Sequence, residues 1–247
     1  RGFIFLAGDN NITLEGLTIT GGKAKTELGG GIYIDGSSPV IKNCTIQNSS
    51  AREGGGIAIV NNASPDIEGT EVKLNFGLFG GGGILVTDST PTLTDVDIYK
   101  NRGTFGGGMK MVNSVGTEEE GARLDDVDIV ENVTNRMCPC SKNQAITAGG
   151  GVYFDRSNPF INDVTLKDNK TGWKLMMDIV DPTIEPYKNA FLSTEEEAVY
   201  YHSFGGGMYV TAQSPKPNVG DFTFEGANED SDSSSDEADN YHFEVNE

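Results

Sequence analysis

Residues 81–101, GGGILVTDSTPTLTDVDIYKN, decide the fold, because they hold one complete copy of a pattern that recurs along the chain. The stretch opens on the glycine triplet Gly81-Gly82-Gly83 and alternates apolar residues at Ile84 and Val86. It turns between Asp88 and Pro91, resumes an apolar series at Leu93, Val96 and Ile98, and closes on Asn101. Triplets begin at Gly29, Gly54, Gly81, Gly106, Gly149 and Gly205, and Pro39, Pro65, Pro91, Pro159 and Pro215 follow five of them by ten or eleven residues. A spacing of about 25 residues between copies is the signature of a repeat array.

The second apolar series recurs with its internal spacing intact. It reads Leu14, Leu17, Ile19, then Ile41, Cys44, Ile46, then Ile67, Thr70, Val72, then Leu93, Val96, Ile98. It continues as Leu124, Val127, Ile129 and Ile161, Val164, Leu166, and returns as Val219, Phe222, Phe224 with a two-residue shift. Alternation by two is strand periodicity, and the step of three marks a bend between two short strands. If each copy is one coil of a solenoid, equivalent residues stack about 4.8 Å apart as parallel neighbours. Ile41, Ile67, Leu93, Leu124 and Ile161 are then one buried stack, and Phe3 and Phe5 face inward in the first coil. Ser49, Asn75, Asn101, Asn132 and Asn169 close successive units. Asn suits that place because it tolerates left-handed backbone and its amide can bond the neighbouring coil. No triplet is followed by the Lys-Ser/Thr that a phosphate-cradling loop needs, so the glycines read as close-approach positions.

These residues, above all Gly81-Gly82-Gly83-Ile84 with Ile98-Tyr99-Lys100-Asn101, resemble the right-handed parallel β-helix proteins of the pectin-lyase-like class. Within it they are similar to surface repeats of the polymorphic outer-membrane-protein type, which pair GG-aliphatic with x-x-N. The resemblance covers about residues 11–226, although this chain has Ile, Val or Leu where that type often has Phe. It implies an all-β solenoid of about seven coils over residues 1–226, used as an extracellular or cell-surface structural and adhesion module. It also brings in an alternative, since proteins of this class include polysaccharide lyases, hydrolases and epimerases.

The 247 residues carry 37 acidic against 18 basic side chains, a formal charge of −19. That balance disfavours nucleic acid and anionic membranes, and favours cations or basic partners. No apolar run approaches the roughly 18 residues of a membrane-spanning helix, and the chain opens in repeat-like sequence without a charged-then-apolar leader, as a mature or excised fragment would. The expected partners are a polysaccharide or other surface proteins.

Cys44 takes an inward position, where a small thiol packs as core, while Cys138 and Cys140 fall in an insertion and read as free thiols, a local disulfide or a soft-metal pair. Sequons occur at Asn11, Asn43, Asn48 and Asn132. Insertions interrupt the array near 115–121, 133–148 and 170–204. The last two leave the same corner of adjacent coils and should stand side by side. The longest holds Trp173 and a short helical pattern from Thr194 to Tyr201, readable as a cover for one coil face or as a wall of a carbohydrate groove. Residues 227–247, acidic and serine-rich, read as a tail or linker.

Outward positions are where a solenoid would carry chemistry. In the first strand they run Tyr33, Ala58, Leu85, Lys110, Tyr153 and Tyr209, with Asp35 and Asp155 two residues on. Tyr153, Asp155, Trp173 and Tyr209 are the candidate carbohydrate contacts. At the bend and second strand, Asp95, Asp97, Asp126, Asp128 and Asp163 form an acidic strip that is either a solvated face or a weak Ca²⁺ site with hard oxygen ligands. No catalytic motif of the family is present. His202 and His242 are the only imidazoles, and Lys110, Lys167 and Arg156 are lyase bases by elimination alone.

Overall fold

The computed structural model describes residues 1–134, 146–171, 202–204, 207–211, 214, 222–225 and 241–243. Cys138, Cys140, Trp173 and the helical pattern at 194–201 lie outside these residues. Within them the chain is a parallel β-solenoid. One sheet of eight strands runs Phe3–Phe5, Ile32–Asp35, Ile57–Val60, Ile84–Thr87, Met109–Val112, Val152–Asp155, Met208–Val210, Tyr241–Phe243. A second, of nine strands, contains Thr92–Tyr99 and Arg123–Val130, and a third, of five, contains Ser50–Glu53 and Phe76–Gly80. The chain visits the three in turn, so among the described residues every pairing between strands is parallel and joins one coil to the next.

The register is the one the repeat spacing predicts. Ile41, Ile67, Leu93, Leu124 and Ile161 pair in sequence across the second sheet, and all are buried. Ile32, Ile57, Ile84, Met109, Val152 and Met208 do the same in the first. Each fully buried aliphatic side chain contributes about 1.5–3 kcal/mol of transfer free energy, and like stacks on like along the interior. Phe5 is buried and stacks on Phe3, with centroids 6.4 Å apart.

Sharp corners between flat strands require backbone that few residues adopt. Four positions per coil take positive φ. The first triplet glycine is one (Gly54 63°, Gly81 54°, Gly106 65°), and a residue after the first sheet is another (Asn61, Asp88, Asn113, Arg156). The third is the bend inside the second sheet, and the fourth precedes the closing Asn (Asn48, Leu74, Lys100, Glu131, Asp168). The second triplet glycine meets a different demand. A Cβ on Gly82 would lie 2.3 Å from the carbonyl oxygens of both Arg102 and Gly107, so neighbouring backbone occupies the place of a side chain.

The closing asparagines form a continuous ladder. Asn101 Nδ2 donates to Val72 O at 2.7 Å and to Asn132 Oδ1 at 3.1 Å, while its Oδ1 accepts from Asn75 N at 3.0 Å. Asn132 repeats these bonds, its Nδ2 donating to Ile98 O and Asn169 Oδ1 and its Oδ1 accepting from Asn101 N. A serine ladder does related work at another corner, where Ser89 Oγ accepts from Ala63 N and Ser157 Oγ accepts from Ser114 N. Buried corner amides are satisfied by side chains where no strand is available.

The insertion near 115–121 is a tight excursion closed by Ala122 N donating to Val115 O at 2.9 Å. The bases of the two longer insertions do stand side by side. Val133 bridges to Lys170 where they leave, and Ile146–Ala148 pairs with His202–Phe204 where they return. Two expectations change. Within the stretch read as a tail, Tyr241–Phe243 is the eighth strand of the first sheet, paired in register with Met208–Val210, its sequence alternating Tyr-His-Phe as a strand does. Ala58, Leu85 and Tyr209 take outward register positions but are buried, Leu85 and Tyr209 being 2% and 4% exposed. Beside them Lys110 reaches back two coils to Glu53, its stem passing over Gly80.

Candidate functional site

Two outward faces bring chemistry-bearing side chains together. The first is an aromatic run on the eight-stranded sheet. The Tyr153 and Tyr209 rings stack with centroids 5.3 Å apart and planes 4° from parallel, because register places them on consecutive strands, and Phe105 tilts against Tyr153 at 5.2 Å. Asp155 lies two residues along, but Thr211 Oγ1 and Arg156 Nη2 each donate to it at 3.0 Å. The structure thus joins three of the four candidate carbohydrate contacts. It leaves Tyr153 partly open, buries Tyr209 and commits Asp155 to its neighbours.

The second face is acidic and lies on the nine-stranded sheet. Glu71, Asp97 and Asp128 are paired in register, one per coil, and border a depression of about 310 Å³ that Tyr99, Val130, Lys100 and Glu131 complete. Burial, and then the charges of Asp128 and Glu71, push the Asp97 carboxyl above its ordinary value. Glu71 is the anchored member. Lys73 Nζ and the Tyr99 hydroxyl, at 3.3 Å, donate to it, and Lys73 sits 5.3 Å from the centre of the Tyr99 ring. Lys100 pairs with Glu131 at 3.2 Å on the rim.

Asp95, Asp126 and Asp163 stand at the bend beside this row, in the register expected, and the structure supplies a reason for them that spacing alone does not. Their φ values are 54°, 55° and 53°, and the same position holds Gly16, Asn43 and Gly69 in earlier coils. Gly, Asn and Asp are the residues that visit left-handed backbone most readily. The column is therefore set by the chain's turn, with the carboxylates as a consequence. Burial and then the neighbouring charges of Asp95 and Asp163 raise the Asp126 pKa. Among the described residues no three His, Cys, Asp or Glu side chains stand close enough together to hold a metal ion.

The residues considered as bases are engaged. Lys110 Nζ bonds Glu53 at 3.1 Å, Arg156 bonds Asp155, and Lys167 bonds Glu225 at 3.0 Å, which raises its pKa and holds it protonated. Glu71, Lys73 and Tyr99 escaped the sequence reading. The signal was present at one repeat position, the residue between the last two apolar members, which is Glu71, Asp97 and Asp128 in consecutive units.

No curated protein and no solved structure matches the chain. A model of the right-handed β-helix region matches residues 2–246. With the parallel solenoid, the aliphatic stacks and the asparagine ladder, that match makes the chain a member of the right-handed β-helix family.

Proposed function

We propose that this β-helix is an extracellular or cell-surface structural module that adheres to an extended, uncharged or amino-substituted glycan through its acidic face. The observation that carries the reading is the register-matched row of Glu71, Asp97 and Asp128 along one shallow depression. Carboxylates accept two hydroxyl hydrogens at once, and charged acceptors make the stronger bonds. A row repeating at about 4.8 Å offers such acceptors along a polymer rather than at a point. Tyr99 and Val130 supply apolar surface beside the row. The same charges repel a uronan, as does the formal −19 of the whole chain.

The scaffold's buried polar groups support a structural role. Those described are Ser, Thr and Asn, and its ladders tie coil to coil. A panel of neutral, amino-substituted and uronic polysaccharides, scored for binding and for released products, tests the proposal. Neutral or amino-substituted glycans should bind, and the Asp97→Asn, Asp128→Asn double variant should weaken binding at least tenfold, about 1.4 kcal/mol. Equal binding by the double variant would remove the acidic face from the account, and product release would replace adhesion with catalysis.

A further inference from the structure

Six sequons occur, Asn62-Ala63-Ser64 and Asn169-Lys170-Thr171 in addition to those at Asn11, Asn43, Asn48 and Asn132, and they lie in two kinds of place. Asn169 is 0% exposed and is a rung of the ladder, and so is Asn132, in Asn132-Val133-Thr134. Its amide nitrogen donates to Ile98 O at 2.8 Å and to Asn169 Oδ1 at 3.1 Å, and its oxygen accepts from Asn101. Asn11, Asn43, Asn48 and Asn62 are exposed, each in left-handed backbone, with φ of 61°, 50°, 51° and 61°.

The coil before Asn43 and Asn48 leaves both corners open. In its column Asn43 follows Gly16 and lays its Oδ1 over Gly69, and Asn48 follows Gly21, so the preceding coil presents no side chain at either corner. A Cβ on Gly16 or Gly21 would meet nothing within 4 Å. On its other side, Asn48 is followed in the next coil by Leu74, an apolar residue 49% exposed and held at φ 56°, where Gly or Asn would be less strained. An apolar side chain so placed is explained if the face of a sugar covers it.

We infer that Asn11, Asn43, Asn48 and Asn62 carry N-linked glycans on the folded chain and that Asn132 and Asn169 do not. The inference rests on the extracellular reading, since the donor belongs to a secretory compartment. In the transfer the acceptor Nδ2 forms a bond to C1 of the first sugar. The C1–O bond to a lipid-linked diphosphate breaks, the diphosphate departs with the bonding pair, and the amide gives up one proton. Asn132 cannot keep such a group and fold, because its nitrogen is already committed inside a dry ladder. Thr45 pairs with Glu71, so sugars at 43 and 48 stand one coil before the acidic row and mark the end of that face.

The test directs the full chain through a eukaryotic secretory pathway behind a secretion leader. Site occupancy is then mapped by enzymatic deglycosylation, which converts each occupied Asn to Asp, and mass spectrometry of folded material. Glycan at 11, 43, 48 and 62 with Asn132 and Asn169 bare is expected. Thr45→Val and Ser50→Ala should each remove one glycan without altering the asparagine at its corner. Bare Asn43 and Asn48, or folded protein glycosylated at Asn132 or Asn169, would overturn the inference. Glycan in this material but not on the chain isolated from its own source would leave the acceptor sites standing and sink the extracellular reading.

Discussion

Two polar columns run along the same sheet, one inside and one outside, and they are polar for different reasons. The inner column, Asn75, Asn101, Asn132 and Asn169, is defined by its side chains, each amide bonding the coils before and after. The outer column, Gly16, Asn43, Gly69, Asp95, Asp126 and Asp163, is defined by its backbone, since every member has φ between 50° and 65° and even a glycine serves. Substitution should be nearly forbidden in the first and permissive in the second, provided the newcomer accepts left-handed backbone. Periodicity alone shows that a position matters, without saying which part of the residue matters.

The largest effect expected lies in the core that both columns border. Leu93→Asp places a charge on the stack between Ile67 and Leu124, where nothing pairs with it. It should cost several kcal/mol, on the order of the stability of a small domain, so the variant should be unfolded or melt far lower by circular dichroism. An unchanged melting temperature would contradict the interior assigned here.

Next in size is Asp126→Val, which forces a β-branched residue into φ of 55° and should cost about 1–3 kcal/mol by chemical denaturation. Asp126→Gly, which removes the same carboxylate, should be close to neutral. Equal losses from the two would mean that the carboxylate, and not the turn, holds the position.

Legibility in the sequence divides along the same line. A solenoid converts long-range contacts into a fixed offset, so Ile41, Ile67, Leu93 and the closing asparagines could be read from spacing, and their pairing follows. The outward faces could not be read so far. Lys110 bonds Glu53 across 57 residues, and no repeat position records how far a lysine stem reaches along the solenoid. Asp95, Asp126 and Asp163 looked like a charge pattern because three consecutive units happen to use Asp. The mixture of Gly, Asn and Asp over six units was the better clue. Glu71 joined the acidic row only once register placed it beside Asp97.

A smaller effect sharpens the proposed face. The Asp97 carboxyl binds its proton more tightly folded than unfolded, through burial and then the charges of Asp128 and Glu71. Ionised at neutral pH it lowers stability, and that cost is relieved as pH falls through its raised pKa toward the ordinary 3.8. Asp97→Asn should therefore raise the melting temperature slightly at pH 7 and have no effect once both states are protonated. A variant less stable at pH 7 than the parent would show that Asp97 is held by a favourable partner.

The reciprocal exchange of one atom between the two columns tests the account most directly. Asn101→Asp and Asp126→Asn swap an amide for a carboxylate and the reverse, and equilibrium denaturation measures both at neutral pH. Asn101→Asp removes the donor to Val72 O and sets a buried carboxylate against Asn132 Oδ1, so a loss of about 3 kcal/mol or more is predicted. Asp126→Asn keeps a residue at home in left-handed backbone and should lie within about 0.5 kcal/mol of the parent. Comparable losses at both positions, or a tolerated aspartate at 101, would contradict the division between a column held by its side chains and one held by its backbone.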